Sequence, residues 1–384
     1  MKRMFRTMLL GTILLTGLHG LHAGAADAPE ISAKGCVLMD AQTGYILFEQ
    51  NAQEKLPMAS TTKIMTTLLT LESGDLDTPF IVDSEAIRVE GSSMGLQQGD
   101  TVTKRALCVG MLLPSGNDGA NAAAVRVGGS IPAFLEMMNA RAKAIGMTRT
   151  FFASPSGLDA EGHGASACDM ALLAREALKN PDFAEICRQQ SMTVSYGNPP
   201  YLRTLTNTNK LLSMDDTVIG VKTGFTDAAG RCLVSACRRQ ARTLICVTLN
   251  DRNDWADHSA LYEYGFAGAS DYEVPLPEQV CVQVEGGDAQ EVRGYIREPP
   301  KLTAWYGVPP EYTVTAEIPP FLLAPVERGA EIGALIWRNG PVEIARTPLY
   351  AAKSVQVPSD TVQDSWFVRT IQRIRCMFNR LQPV

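Results

Sequence analysis

Apolar residues at Ile64, Met65, Leu68, Leu69 and Leu71 recur three and four positions apart. This spacing predicts a mostly buried helix opened by Ala59-Ser60-Thr61-Thr62-Lys63, with Ser60 in the first turn and Lys63 one turn later on the same face. Upstream, Cys36 to Met39 and Tyr45 to Phe48 read as two strands around the turn Asp40 to Gly44, and a linker from Asn51 to Pro57 leads into the helix. Pro79 and the stretch Gly91 to Asp100 read as loops. Thr103 caps a helix running to about Leu113, which Pro114 stops. Ser115-Gly116-Asn117 forms a polar knuckle before an alanine-rich helix from about Asp118. A further helix begins at Ser130 and Pro132, carries Phe134, Leu135, Met138, Ala142 and Ile145 on one face, and ends at Gly146.

Phe151 to His163 reads as a loop, Ala167 to Lys179 as a helix begun near Ser166, and Met192 to Tyr196 as a strand. From Thr217 the pattern changes to strands at Val218 to Thr223, Arg231 to Ala236 and Thr243 to Leu249, and a helix follows from Trp255 to Phe266. Strands at both ends with helices between predict an α/β unit whose terminal segments share one sheet, with a helical subdomain inserted. Past Ser270 prolines become frequent and short strand candidates appear at Val280 to Val284, Glu291 to Ile296, Tyr312 to Glu317 and Ala334 to Trp337. The division expected is 26–271 for the α/β domain, 272–357 for a small β-domain and 358–384 for a tail. In that tail Trp366, Phe367, Thr370, Ile371, Ile374, Met377, Phe378 and Leu381 recur at helical spacing, with Arg369, Arg373, Arg375 and Arg380 between them. Such a basic amphipathic helix suits a membrane interface; packing on the β-domain or in a dimer is the alternative.

Composition narrows the chemistry. Lys2, Arg3 and Arg6 precede an apolar segment from Met8 to about Leu18, and Ala23-Gly24-Ala25 offers a cleavage site, so 1–25 reads as a signal peptide of an exported protein. Its removal takes the formal charge from −6 to −9, since three cations and no anions are lost, and such an acidic body does not suit nucleic acid. The nine cysteines are scattered among apolar neighbours and read as small buried hydrophobes, with a pair such as Cys232 and Cys237 left open. His163 and His258 alone remain after the signal, and neither stands in an H-E-x-x-H cluster. A Ser-His-Asp triad needs one histidine. A lysine base is the more economical reading: desolvation disfavours an ammonium, so Lys63 in an apolar setting is a candidate base for Ser60. By itself S-x-x-K suits a helix cap better than a catalytic site, because the pattern is common by chance. Two further motifs change that balance. Ser115 and Asn117 supply a hydroxyl and an amide at an exposed corner, and Lys222-Thr223-Gly224 lies on a strand whose alternation sends Lys222 and Gly224 to one face. A glycine there lets another backbone approach, and a substrate peptide adding as an extra strand is one candidate.

S-x-x-K, S-x-N and K-T-G in this order resemble the set used by penicillin-binding proteins and class A β-lactamases. The chain is similar over nearly its whole length to the D-alanyl-D-alanine carboxypeptidases among the low-molecular-weight penicillin-binding proteins. The likeness rests on Met58 to Thr66, Leu113 to Asp118, Gly146-Met147, Ser156-Gly157-Leu158, Ala167 to Met170 and Gly220 to Thr226 with Ala229-Gly230. It implies a β-lactamase/transpeptidase-like domain with a mainly antiparallel sheet, then the small β-domain and the amphipathic tail. It also implies an acyl-enzyme on Ser60, Lys63 as its base, and Ser115 relaying a proton to the leaving nitrogen with Lys222 in the same network. The oxyanion would rest on the N–H groups of Ser60 and Thr226. Asn117 would hold the substrate amide, while Thr223 and Thr226 would meet its carboxylate. No cofactor is expected. The implied partners are peptidoglycan stem peptides and β-lactam antibiotics, met at the outer face of the cytoplasmic membrane, in the periplasm or in the wall. A β-lactamase and a silent wall-binding protein are the competing readings. Two departures stand out: Arg252 is out of register with the family's carboxylate-binding arginine, and Ala153-Ser154-Pro155-Ser156 lacks the asparagine usual before the proline.

Overall fold

The structure, a computed structural model, describes residues 28–277, 279–340 and 342–358. The expected signal peptide and the amphipathic tail beyond Pro358 lie outside the described residues. The described chain forms two compact units that divide at residues 269 and 270.

The first unit opens with β1 (Gly35–Asp40), β2 (Ile46–Gln50), a 3-10 turn (Ala59–Thr62) and α1 (Lys63–Glu72). Two short strands, β3 (Phe80–Ile81) and β4 (Thr101–Val102), precede α2 (Lys104–Leu112), α3 (Asn117–Gly128), α4 (Ile131–Ile145), α5 (Ala167–Ala177) and α6 (Pro181–Cys187). A hairpin of β5 (Ser191–Gly197) and β6 (Pro200–Thr206), the short α7 (Leu211–Met214), and β7 (Val218–Thr226), β8 (Gly230–Arg239), β9 (Arg242–Leu249) and α8 (Asp254–Ala267) complete it. The main sheet has the order β2-β1-β9-β8-β7 and is antiparallel throughout. Val37 of β1 lies opposite Val247 of β9, so the two ends of the unit close one sheet around the inserted helices. α5 packs on β1 and β9 from one side and α8 on β8 and β9. With both faces covered, Cys232 to Cys237 and Leu244 to Leu249 are buried without interruption, hence their continuous apolar runs. The edge strand β7 packs on the 3-10 turn.

Capping chemistry sets the helix starts. Thr103, Ser130 and Ser166 accept the N–H of Ala106 at 3.1 Å, Ala133 at 3.3 Å and Asp169 at 3.1 Å, and Gly146 ends α4 with φ +92°. α1 sits among α2 to α6 and buries every residue from Lys63 to Leu71. Its threonines are satisfied internally: Thr66 donates to the Pro155 carbonyl at 2.6 Å and Thr70 to that of Thr66 at 2.7 Å.

The second unit is built from β10 (Ala269–Glu273), β11 (Cys281–Glu285), β12 (Glu291–Tyr295), β13 (Lys301–Trp305), β14 (Thr313–Glu317), β15 (Leu322–Leu323), β16 (Glu331–Asn339) and β17 (Val342–Ala351). Six of these strands form a sheet of order β14-β16-β17-β12-β11-β15, and β10 pairs with β13. Trp337, Val292, Leu335, Ile344 and Leu349 form its core. The cysteines from Cys36 to Cys281 are all free, including Cys232 and Cys237.

Candidate active site

Ser60 stands in the 3-10 turn ahead of α1, a correction to its expected place in the first α turn. The tighter winding brings residues i and i+3 into line, and Lys63 Nζ lies 2.9 Å from Ser60 Oγ. Ser60 caps nothing, since α1 starts from Thr62 without a side-chain cap. The turn is held under strain: Ala59 has φ +48°, in the left-handed region that costs a non-glycine residue about 1 kcal/mol or more. Two glycines clamp it. A Cβ on Gly157 would stand 2.0 Å from the Ala59 carbonyl oxygen and 3.0 Å from Ser60 N. One on Gly224 would stand 3.1 Å from Met58 O, Ser60 N and Thr61 N. The backbone that closes on Gly224 is therefore the chain's own turn.

Lys63 is fully buried, and its Nζ meets three oxygens: Ser60 Oγ at 2.9 Å, Asn117 Oδ1 at 2.7 Å and the Ser156 carbonyl at 2.6 Å. Burial pushes its pKa well below the ordinary lysine value, the nearby Lys222 cation pushes it further the same way, and Asp118 opposes both. As a neutral amine Lys63 has two hydrogens. An amide oxygen and a peptide carbonyl can only accept, so Asn117 and Ser156 take both, and the lone pair is left for the proton of Ser60. The arrangement can therefore generate a serine alkoxide without histidine or metal ligation.

The polar knuckle lies between α2 and α3. Ser115 has φ +67°, and it and Asn117 are buried, a correction to the exposed corner expected, because the loop before α2 and the Lys63 side chain pack over the knuckle. Asn117, the first residue of α3, is engaged at both ends: Oδ1 accepts from Lys63, and Nδ2 donates to the Glu90 carbonyl at 2.7 Å. Next to it Asp118 takes the N–H groups of Met94 at 2.9 Å, Gly95 at 3.0 Å and Leu96 at 2.9 Å, and the Ser93 hydroxyl at 2.6 Å. It thereby ties the loop before α2 to the knuckle.

On β7, Lys222 is buried and burial lowers its pKa to about 7; its Nζ donates to the Thr223 carbonyl at 3.0 Å. Thr223 Oγ1 pairs with Thr208 Oγ1 at 2.7 Å, and Thr208 N donates to the Leu113 carbonyl at 3.2 Å, linking this strand to the knuckle. Thr226 Oγ1 donates to Asp159 at 3.0 Å and accepts from Ala229 N at 3.1 Å. Ser60, Lys63 and Asn117 thus form one bonded cluster, while Thr223 and Thr226 bond to other neighbours. Arg252 is exposed.

Sequence reasoning missed the Ser156 carbonyl, Gly157 as the second clamp, Asp118 and Thr208. In the position before the proline, Ser154 Oγ accepts from Ser156 N at 3.3 Å and Gly157 N at 3.1 Å and closes the turn. No cluster of three or more metal-ligating side chains occurs among the described residues.

A half-buried serine bonded to a buried lysine against an edge strand, with helices inserted in an antiparallel sheet, defines the penicillin-binding class of serine peptidases. The chain belongs to the D-alanyl-D-alanine carboxypeptidase family of peptidases, whose model matches residues 22–253. It is 31% identical to D-alanyl-D-alanine carboxypeptidase DacF of Bacillus subtilis (strain 168), over 93% of this chain and 95% of that one. Identity to DacC of Escherichia coli (strain K12) is 32%, over 86% of each. Among solved structures, the carboxypeptidase DacD of Francisella tularensis superposes with a TM-score of 0.63 at 27% identity, over 89% of this chain and 98% of that one. The Streptomyces K15 DD-transpeptidase gives a TM-score of 0.61 at 31% identity, over 63% of this chain and all of that one.

Proposed function

We propose that this peptidase removes the terminal D-alanine from peptidoglycan stem peptides through an acyl-enzyme on Ser60, and that β-lactams acylate the same serine. The observation that carries this reading is Lys63 Nζ at 2.9 Å from Ser60 Oγ, fully buried, with its two other directions taken by acceptors. Neutral Lys63 takes the Ser60 proton as Oγ attacks the carbonyl between the two D-alanines. The developing oxyanion is received by the N–H groups of Ser60 and Thr226. Ser115 passes a proton to the leaving nitrogen, with the Lys222 cation in the same network. Water then attacks the acyl carbonyl and frees Ser60. Asn117 aligns Lys63 through Oδ1 and meets the substrate amide when it turns from Glu90. Thr223 and Thr226 offer hydroxyls to the substrate carboxylate, Thr226 after leaving Asp159. Residues 26–271 form the catalytic domain and 272–357 a small β-domain. The tail places the exported enzyme on a membrane surface after loss of residues 1–25.

The test is a paired assay on the purified chain. Release of D-alanine from a pentapeptide ending in two D-alanines, together with a lasting penicillin adduct on Ser60, is the expected result. Rapid penicillin turnover would assign a β-lactamase instead, and an adduct without peptide cleavage would leave a silent wall-binding protein or an altered specificity.

A further inference from the structure

His163 lies at the end of the loop that carries Gly157, outside the three motifs, and its ring touches the nucleophile turn. Nε2 stands 2.9 Å from Thr62 Oγ1, and Thr62 Oγ1 stands 2.8 Å from the Ala59 carbonyl oxygen. On the other side of the ring, Nδ1 lies 3.1 Å from the backbone N of Ala153. These contacts fix every proton. An amide N–H can only donate, so Nδ1 carries a lone pair and the ring hydrogen is on Nε2. A carbonyl can only accept, so the Thr62 hydroxyl gives its hydrogen to Ala59 and receives the one from Nε2. The chain of donors therefore runs one way, from Ala153 N–H to His163, from His163 Nε2–H to Thr62, and from Thr62 to Ala59 O. A second proton on the ring would set two N–H groups face to face at Ala153. Burial, the largest influence, lowers the His163 pKa to about 4, against Asp159 and together with Lys55, so the neutral ring prevails near neutral pH.

The carbonyl at the end of this relay belongs to the strained residue of the turn, and it is the same oxygen against which Gly157 packs. A peptide group is planar, so fixing the Ala59 oxygen fixes the opposed N–H of Ser60. We infer that His163 is a positioning residue for acylation: through Thr62 it holds the Ala59–Ser60 peptide so that the Ser60 N–H keeps its aim at the developing oxyanion. The inference rests on the proposed acyl-enzyme reading, and it places the effect in the chemical step, because the ring bonds to Thr62 and Ala153 and acts on Ser60 only through the peptide that carries it.

The experiment measures penicillin acylation of the full chain, resolving the acylation rate constant from the dissociation constant of the preceding complex. His163→Leu and Thr62→Val should each slow acylation by about tenfold to a hundredfold, the scale of a misaligned catalytic group, with the dissociation constant within about twofold of wild type. The double variant should be no slower than the slower single one, because both cut the same relay. His163→Gln, whose amide offers an N–H near the Nε2 position, should recover most of the rate. Thr62→Ser keeps the hydroxyl and should acylate normally, and His163→Asn, which lacks a donor at Nε2, replaces His163→Leu if that variant does not fold. Wild-type acylation by His163→Leu, or rate losses that multiply in the double variant, overturns the inference. A wild-type chain that penicillin does not acylate at Ser60 overturns instead the function on which it rests.

Discussion

Lys222 has two effects that pull in opposite directions. Its cation beside Lys63 helps to keep that amine neutral, and its own charge is disfavoured by complete burial. Replacing it by methionine, of similar length, removes both. Lys63 then gains proton affinity, so the rising limb of the pH profile for penicillin acylation should move to higher pH and the rate at neutral pH should fall by at least about tenfold. Stability should change the other way. A lysine whose folded pKa is about 7 against an unfolded value near 10.4 binds its proton less well in the fold than in the unfolded chain, so the native state carries a penalty through neutral pH. The Lys222→Met variant should therefore melt higher at pH 7 than wild type while acylating more slowly, a stability and activity trade-off at one residue. A melting temperature that falls, with an unmoved pH limb, would refute both halves. The catalytic motifs were legible as residue types because each side chain brings its own chemistry. The Ser156 carbonyl was hidden, since every residue has one, and so was the clamp by Gly157; at Gly224 the close approach was legible from the glycine but not the backbone that makes it, since an approach leaves no trace in the residue that approaches.

At the scale of elements, legibility followed burial and capping. β8 and β9 are covered on both faces and read as apolar runs; α2, α4 and α5 announce themselves through Thr103, Ser130 and Ser166. The elements overlooked are those whose side chains face solvent or whose signals are brief. β6 exposes Tyr201 and Leu202 and begins at Pro200, which disguises its pairing with β5. α6 is seven residues long, although Asn180 caps it by accepting from Phe183 N at 3.1 Å and Pro181 opens it. β17 carries Pro348, a residue that weakens the strand signal of its run. His258 read only as one of two residual histidines, yet it joins α8 to the sheet. Its Nδ1 lies 2.6 Å from Ser235 Oγ on β8 and its Nε2 lies 3.0 Å from Thr248 Oγ1 on β9. Burial lowers its pKa to about 3, and that of His163 to about 4. Both are depressed below the unfolded value near 6.5, so between these limits the unfolded chain binds protons that the fold refuses. Stability should be retained above pH 6.5 and fall as pH drops, with each histidine contributing up to about 1.4 kcal/mol per pH unit. Denaturant midpoints measured from pH 7 to pH 4.5 should show that slope, and His258→Gln should flatten it. A midpoint independent of pH over this range would contradict the assignment.

For the whole molecule, the parts of the proposed reaction are unevenly distributed along the chain. Every residue placed in the acylation machinery lies between Ser60 and Thr226, inside the first unit, and the family model likewise ends at residue 253. The Streptomyces K15 DD-transpeptidase matches over all of its own length while spanning 63% of this chain, so a relative of this fold exists without a counterpart to the rest. The second unit is built as a sheet around Trp337. Beyond it the sequence places Arg369, Arg373, Arg375 and Arg380 between apolar residues, in a chain whose formal charge is −6. An acidic body is repelled by anionic lipid, so attraction must come from this segment if the enzyme works at a membrane surface, with each arginine near the headgroups contributing about 1 kcal/mol. Chains ending at Pro358 and at Ala269 should therefore be acylated by penicillin at the full-length rate in solution. Only the full-length chain should sediment with vesicles containing anionic phosphatidylglycerol, and added salt should release it, because exposed charges are screened. Vesicle binding by the chain ending at Pro358 would move the membrane contact into the second unit, and slow acylation of the chain ending at Ala269 would give that unit a part in the chemistry.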